Sequence, residues 1–339
     1  MRNAGWLGIA GAAAGAALAA RYAVRRARYM DLRDRVVLIT GGSRGLGLVL
    51  ARHLVGEGAR VAICARDEDE LNRARDELRM MGGDVMAIQC DVTVQAQVDE
   101  MVRGVVGHFG RIDVLVNNAG VIQVAPMEEM TLLDYEEAMQ THFFGPLYTT
   151  LAVLPAMRGR GEGRIVNVTS IGGKVPAPHL LPYTASKFAL VGFSEGLHAE
   201  LVKDNIFVTT VAPGLFRSGS PRNATFKGRH HEEYAWFAAA DAAPVVSMDV
   251  NRLARRIIDA AQHGQAELIV PLAACVQAKM HGLMPGLTAE AASVVNRFLP
   301  KPGGIGPRRA KGYESSSGLV PQYAADVNTS AARANNEIG

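Results

Sequence analysis

The chain has 339 residues, of which 48% are apolar, and a formal net charge of +3. That is ample material for a large buried core and too little positive charge to point to a nucleic-acid partner. The three cysteines, Cys64, Cys90 and Cys275, are scattered and odd in number, which indicates neither a disulfide framework nor a zinc site and predicts a reduced, intracellular protein.

The charge is unevenly spread. Residues 1–35 hold Arg2, Arg21, Arg25, Arg26, Arg28, Arg33 and Arg35 against Asp31 and Asp34, so this segment carries +5 and the rest of the chain −2. From Asn3 to Ala20 the chain is uncharged, and as a helix it would span about 27 Å, near the roughly 30 Å of a hydrocarbon core. It is mostly Ala and Gly, with Trp6, Leu7, Ile9 and Leu18 as its strong apolar residues. A cleaved signal peptide fits worst, because Arg2 alone would form its basic region. A membrane anchor within 3–28, with the body of the protein on the cytoplasmic side, fits the arginine cluster. A soluble or peripherally attached Ala-rich helix fits the weak hydropathy, and both readings stay open.

After Asp34, short β-branched runs alternate with longer amphipathic stretches. The runs are Val36–Ile39, Val61–Cys64, Val85–Ile88, Ile112–Val116, Ile165–Val168, Phe207–Val211 and Leu268–Val270, separated by segments of helical spacing such as Glu68–Met80, Val94–Phe109 and Val250–Ala261. Continuous apolar strands with helices between them predict a parallel sheet covered on both faces. The expected fold is therefore α/β: one doubly wound, Rossmann-like domain of seven parallel strands over about 31–300. From Lys301 the composition turns to Pro, Gly, Ser, Asn and Ala, which predicts a disordered tail over 301–339.

The first strand runs straight into Thr40-Gly41-Gly42-Ser43-Arg44-Gly45-Leu46-Gly47, followed by helical Leu48–Leu54. Glycines let a backbone turn tightly and approach a pyrophosphate, whose charge is met by free N–H groups at a helix start. There is no Gly-Lys-Ser/Thr, as an ATPase loop requires. Three residues, not one, separate the first two glycines of the pattern, unlike the ordinary dinucleotide fingerprint. The second strand ends Cys64-Ala65-Arg66, where an NAD-binding strand usually ends in a carboxylate. Arg44 and Arg66 together offer charge-assisted contacts to a 2′-phosphate. NADP(H) is therefore expected in preference to NAD(H), which Asp67 keeps open.

Tyr183-Thr184-Ala185-Ser186-Lys187 sets a phenol and an ammonium at i and i+4, adjacent on one helix face. A phenol of pKa about 10 is a poor acid/base at neutral pH; a fixed cation beside it lowers that value towards a working range. Ser170 follows the strand Ile165–Val168, and strand ends at that edge of the sheet face the ligand crevice, so its hydroxyl is placed for a substrate oxygen.

Thr-Gly-x-x-x-Gly-x-Gly, a serine thirteen residues before the tyrosine, and Tyr-x-x-x-Lys together resemble the short-chain dehydrogenase/reductase family. The resemblance spans about Asp31 to Pro271. It implies hydride transfer between a nicotinamide and a carbonyl or alcohol carbon, with Ser170, Tyr183 and Lys187 catalytic and Lys187 also holding the nicotinamide ribose. It implies a cofactor loop of Gly41, Ser43, Arg44, Gly45, Leu46 and Gly47. Asp91, with Val92 beside it, matches the adenine position. Asn117, Asn118, Ala119 and Gly120 match the family's Asn-Asn-Ala-Gly, and Pro213-Gly214 the pair that borders the nicotinamide, with Ser218 where Thr is common. One departure stands out: His142 occupies the place of an Asn that helps hold a proton-relay water. It is either a substitute relay or a packed helix residue.

Leu215–Val246 is too long for an ordinary connection and is expected to be a substrate lid. Its Tyr234, Trp236, Phe237 and alanines suggest a lipophilic substrate (steroid, retinoid, fatty acyl or aryl ketone) unless they only pack the lid down. His230–His231 lacks a partner pattern for a metal. The apolar residues of Val276–Phe298 are expected at a homo-oligomer interface or against lipid. A non-catalytic dinucleotide sensor or scaffold is the alternative function, which intact Ser170, Tyr183 and Lys187 argue against. A methyltransferase would have no use for Tyr-x-x-x-Lys.

Overall fold

Each of the seven apolar runs becomes a strand of one parallel sheet: β1 (Val36–Thr40), β2 (Arg60–Ala65), β3 (Val85–Gln89), β4 (Val114–Asn117), β5 (Gly163–Val168), β6 (Ile206–Pro213) and β7 (Glu267–Val270). Their order is β3-β2-β1-β4-β5-β6-β7. The structure is a computed structural model that describes residues 15–16, 19–20, 22–244 and 247–338. Most of the expected anchor at 3–28 lies outside the described residues, and among those described no helix is long and apolar enough to cross a membrane.

Period-2 alternation explains why these strands read as continuous apolar runs. Val37 and Ile39 of β1 point into one core, with Leu48 and Leu50 of α1 (Gly45–Gly56), Leu71 of α2 (Glu68–Met80) and Leu253 of the later helix Val250–Gln262. Val36 and Leu38 point into the other, with Val98 and Met101 of α3 (Gln95–Phe109) and Met157 of the helix Gly145–Arg160. Both faces are thus dry, and each such side chain contributes about 1.5–3 kcal/mol on burial. The remaining helices are α4 (Leu132–Met139), α5 (the Gly145–Arg160 helix), α6 (Leu181–Leu201), α7 (His230–Ala242), α8 (the Val250–Gln262 helix), α9 (Leu272–Leu283), α10 (Pro285–Asn296), α11 (Gly312–Ser315) and α12 (Gln322–Ala334).

The tail departs from expectation. In place of disorder over 301–339, Ala310–Lys311 pairs antiparallel with Thr225–Phe226, and α12 packs on α7 with Ala324, Asn328 and Ala332 buried. His230 and His231 pin α11 through the Oγ and carbonyl of Ser315, at 3.0 and 2.9 Å, and Asn328 Nδ2 donates to the Ala238 carbonyl at 3.1 Å. The segment has too few apolar residues for a core of its own. It is ordered by polar bonds to the lid, which composition cannot report.

The base of the expected lid, described over 215–244, carries a buried charge cluster. Asp134, which has no exposed surface, pairs with the equally buried Lys227, with Arg309 at 2.7 Å, and with the N–H and hydroxyl of Thr131 at 2.7 and 2.8 Å. One carboxylate therefore joins α4, the lid and the C-terminal segment.

Candidate active site

The strand order reverses between β1 and β4, where the connections leave to opposite sides and open a crevice at the carboxyl ends. A cavity of about 760 Å³ lies there, within the range of small-molecule and cofactor sites. Thr40 ends β1 and ties the crevice together, its Oγ1 accepting from the N–H groups of Asn118 and Ala119 at 3.0 and 3.1 Å. Gly41 turns away at φ 64°, and a Cβ there would meet the Ala119 backbone at 2.9 Å. A Cβ on Gly47 would stand 2.1 Å from the Gly41 carbonyl. The loop has room for backbone only, as a cradle for a bulky phosphate requires.

Of the expected cofactor residues, Gly41, Ser43, Arg44, Gly45 and Leu46 line the cavity, as do Arg66, Asp91 and Val92, and across from them Ala119, Gly120, Pro213 and Gly214. Gly47 and Asn117 do not. Gly47 serves the close packing of loop on helix. Asn117 is buried, donating to Asn167 Oδ1 at 2.9 Å and accepting from Thr149 Oγ1 at 2.7 Å, so it supports the sheet from within.

Ser170, Tyr183 and Lys187 converge on the same cavity. Ser170 Oγ accepts from the Gly172 N–H at 3.0 Å, and a Cβ on Gly172 would crowd the Tyr183 ring at 3.2 Å. Lys187 donates to the Val168 carbonyl at 2.9 Å, and its ammonium lies 5.6 Å from the Tyr183 ring centre. The electrostatics differ from the simple expectation of an acidified phenol. Burial pushes the Tyr183 phenol up, outweighing the hydrogen bond to Ser170 that pulls it down, and burial brings Lys187 down to about 7. In a desolvated pair the cost of carrying charge exceeds the mutual help. At neutral pH the phenol keeps its proton.

His142 sits in a π-helical turn, Gln140–Phe144, a local widening common at functional sites. Its Nε2 accepts from the Val121 N–H at 3.1 Å, which assigns the proton to Nδ1. Nδ1 then donates to Ser186 Oγ at 2.8 Å, and Ser186 donates to the Tyr183 carbonyl at 2.9 Å. Both ring nitrogens are engaged by protein, leaving none for a relay water. Burial and the nearby Lys187 charge hold the imidazole well below its ordinary pKa. The neutral ring packs edge-on to Tyr183, 5.3 Å between centres.

Arg44 bonds to Glu70 at 2.7 Å and lies 3.4 Å from Glu337. Asp67, the residue that keeps NAD open in the sequence, caps α2 by accepting from the Glu70 N–H at 2.9 Å. In the lid, Phe237 lines the cavity while Tyr234 and Trp236 do not; Trp236 donates to the buried Glu233 at 2.7 Å. Asp241, Lys311 and Glu337 also line the cavity. Sequence reasoning missed them, since isolated charged residues in a lid and a polar tail carry no motif.

Comparison with known proteins shows the family of the chain. A family model described as short chain dehydrogenase matches residues 35–227. A Streptomyces coelicolor relative named as a ketoacyl reductase is 38% identical over 212 residues, covering 62% of this chain and 80% of its own. A crystal structure of a variant actinorhodin polyketide ketoreductase with NADPH superposes at TM-score 0.63 and 33% identity, over 70% of this chain and 95% of that one. A short-chain dehydrogenase from Streptomyces avermitilis reaches TM-score 0.67 at 32% identity, over 79% and 99%.

Proposed function

Because the chain belongs to the short-chain dehydrogenase family, whose members are oxidoreductases, we propose that it reduces the carbonyl of a lipophilic substrate with NADPH, Tyr183 supplying the proton. The observation that carries this reading is the convergence of Ser170, Tyr183 and Lys187 on one cavity that is also lined by the glycine cradle, Arg44 and Arg66; burial, which raises the phenol, fits a proton donor. The cofactor, when bound, supplies the hydride. Ser170 Oγ and the phenol then hold the carbonyl oxygen between them, and the phenol gives its proton as charge develops there. Lys187 stabilises the phenolate left behind, and the phenolate takes a proton from solvent before the next turnover.

His142 is a positioning residue in this scheme: through Ser186 it fixes the backbone of Tyr183, and through ring packing the phenol itself. Ile122, Leu180, Leu215 and Phe237 make the outer walls apolar, which fits ketoacyl or aryl ketone substrates and accords with the name of the Streptomyces relative and with the ketoreductase structure. The three free cysteines fit a cytoplasmic compartment. A homo-oligomer belongs to the same reading, with exposed apolar residues such as Leu283 and Phe298 of α9 and its surroundings at its interface.

NADP(H) is favoured over NAD(H) because Arg66 follows the uncharged end of β2 and Asp67 is committed to its helix cap. With NADPH and a panel of β-keto thioesters and aryl ketones, the protein should consume NADPH. Arg66→Ala should weaken NADPH binding about tenfold, the value of one charge-assisted contact, and leave NADH within twofold. Equal losses for both cofactors would refute the 2′-phosphate role.

A further inference from the structure

The C-terminal segment Asn335–Glu337 lies beyond the region matched by the family model, yet it reaches into the phosphate loop. The Gly45 N–H donates to the Asn335 carbonyl at 2.9 Å. Asn336 Nδ2 donates to the carbonyls of Ser43 and Glu70 at 2.8 and 3.0 Å. Glu337 is buried, its carboxylate 3.4 Å from Arg44 Nε and hydrogen-bonded to Asn223 of the lid. A Cβ built on Gly45 would lie 2.7 Å from Glu337 Oε1. The open face of that glycine is the direction in which such loops admit a pyrophosphate, and here a carboxylate fills it.

We propose that Asn335–Glu337 is an autoinhibitory latch: its carboxylate and carbonyl stand where the dinucleotide's phosphates bind, and the segment must withdraw before the cofactor seats fully. This rests on the dinucleotide reading of the loop. The chemistry of the contact is that of a phosphate stand-in, with anionic oxygens against a helix start and a guanidinium. A pyrophosphate carries more charge and would displace it. With the latch in place, an incoming pyrophosphate would face the Glu337 carboxylate and, on Arg44, the Glu70 carboxylate. Like charges so arranged repel strongly at low dielectric.

The latch is also built to leave. It is held by polar bonds more than by apolar packing: besides the contacts above, Arg52 donates to the Ala334 carbonyl and Asn335 Oδ1 at 2.8 and 3.2 Å, and Arg73 to Asn336 Oδ1 at 3.0 Å, all of which water and phosphate can exchange. Burial also pushes the Glu337 carboxyl up, which weakens it as an anion relative to phosphate. Because Asn335 Nδ2 and Asn223 Nδ2 bond the segment to the lid at the Ser218 and Glu337 carbonyls, both at 3.1 Å, withdrawal frees the lid as it frees the loop.

The test is NADPH titration of the full chain, followed by nicotinamide fluorescence. A latch closed most of the time reduces apparent affinity by the fraction open, so Glu337→Gln, which keeps the shape and removes the charge, should bind NADPH about tenfold more tightly. Equal or weaker binding would overturn the latch. Hydrogen exchange of the unaltered protein gives an independent reading. Saturating NADPH should speed exchange across 335–338, including the Glu337 amide now bonded to the Ala332 carbonyl; added protection there would mean that the segment belongs to the cofactor site. If neither protein binds NADPH at all, the dinucleotide reading falls, and the latch with it.

Discussion

Tyr183→Phe should lower kcat for carbonyl reduction by about 10²- to 10⁴-fold, the range expected for loss of a positioned proton donor, while NADPH affinity stays within about twofold. The separation follows from the geometry. The Tyr183 ring rests on Gly172 and against His142, contacts that phenylalanine keeps, and the glycine cradle is built from other residues, Gly41 to Gly47. Only the hydroxyl is lost. Single-turnover measurements with saturating NADPH check this, because they isolate the chemical step from release of product. A variant that turns over like the unaltered protein would show that another group donates the proton.

The largest expected effect on stability is at the base of the lid. Asp134→Ala should destabilise the fold by about 3–5 kcal/mol, because it leaves the buried Lys227 without its carboxylate and removes the box that caps α4. The loss is read as a shift of the urea midpoint. The decisive control is Asp134→Leu with Lys227→Met: removing both charges together should recover much of the loss, since replacing a whole buried pair by apolar residues is often near neutral. If the double variant is no more stable than Asp134→Ala, the buried charge is not the cause. Burial raises the Asp134 carboxyl, but Lys227 and Thr131 more than offset this and leave it below its ordinary value. A depressed carboxyl adds stability above its unfolded pKa, so this contribution is present at neutral pH and fades as pH falls through the folded value.

The sheet was legible, and the convergence of Ser170, Tyr183 and Lys187 on one cavity was readable, because each rests on local pattern. A strand buried on both faces must be largely apolar, and β1 to β7 each hold an apolar run; among the buried polar exceptions, Asn117, Arg164 and Asn167 are hydrogen-bonded. The cradle needs glycine at Gly41 and Gly47 for steric reasons that hold wherever the loop occurs, and Tyr183 and Lys187 sit one helical turn apart. The C-terminal segment escaped because order there comes from bonds between distant residues, such as His231 to Ser315 and Asn336 to Ser43, while its composition resembles that of chains lacking a core. The phenol's acidity escaped for a related reason. Proximity of Lys187 is visible in sequence, but desolvation depends on what the fold packs around the pair, and burial dominates both groups. His142 lies between these cases: its position is readable, but the use of both its nitrogens is a fact of three dimensions.

A hydride that reaches a carbonyl carbon in this cavity carries its label into the alcohol. The most direct measurement supplies NADPH deuterated at the transferring C4 position, with β-keto thioesters and aryl ketones, and weighs the alcohol product. One deuterium is expected on the carbinol carbon, with NADPH consumed in equal amount. NADPH consumed without deuterated alcohol, or no consumption across the panel, would contradict it.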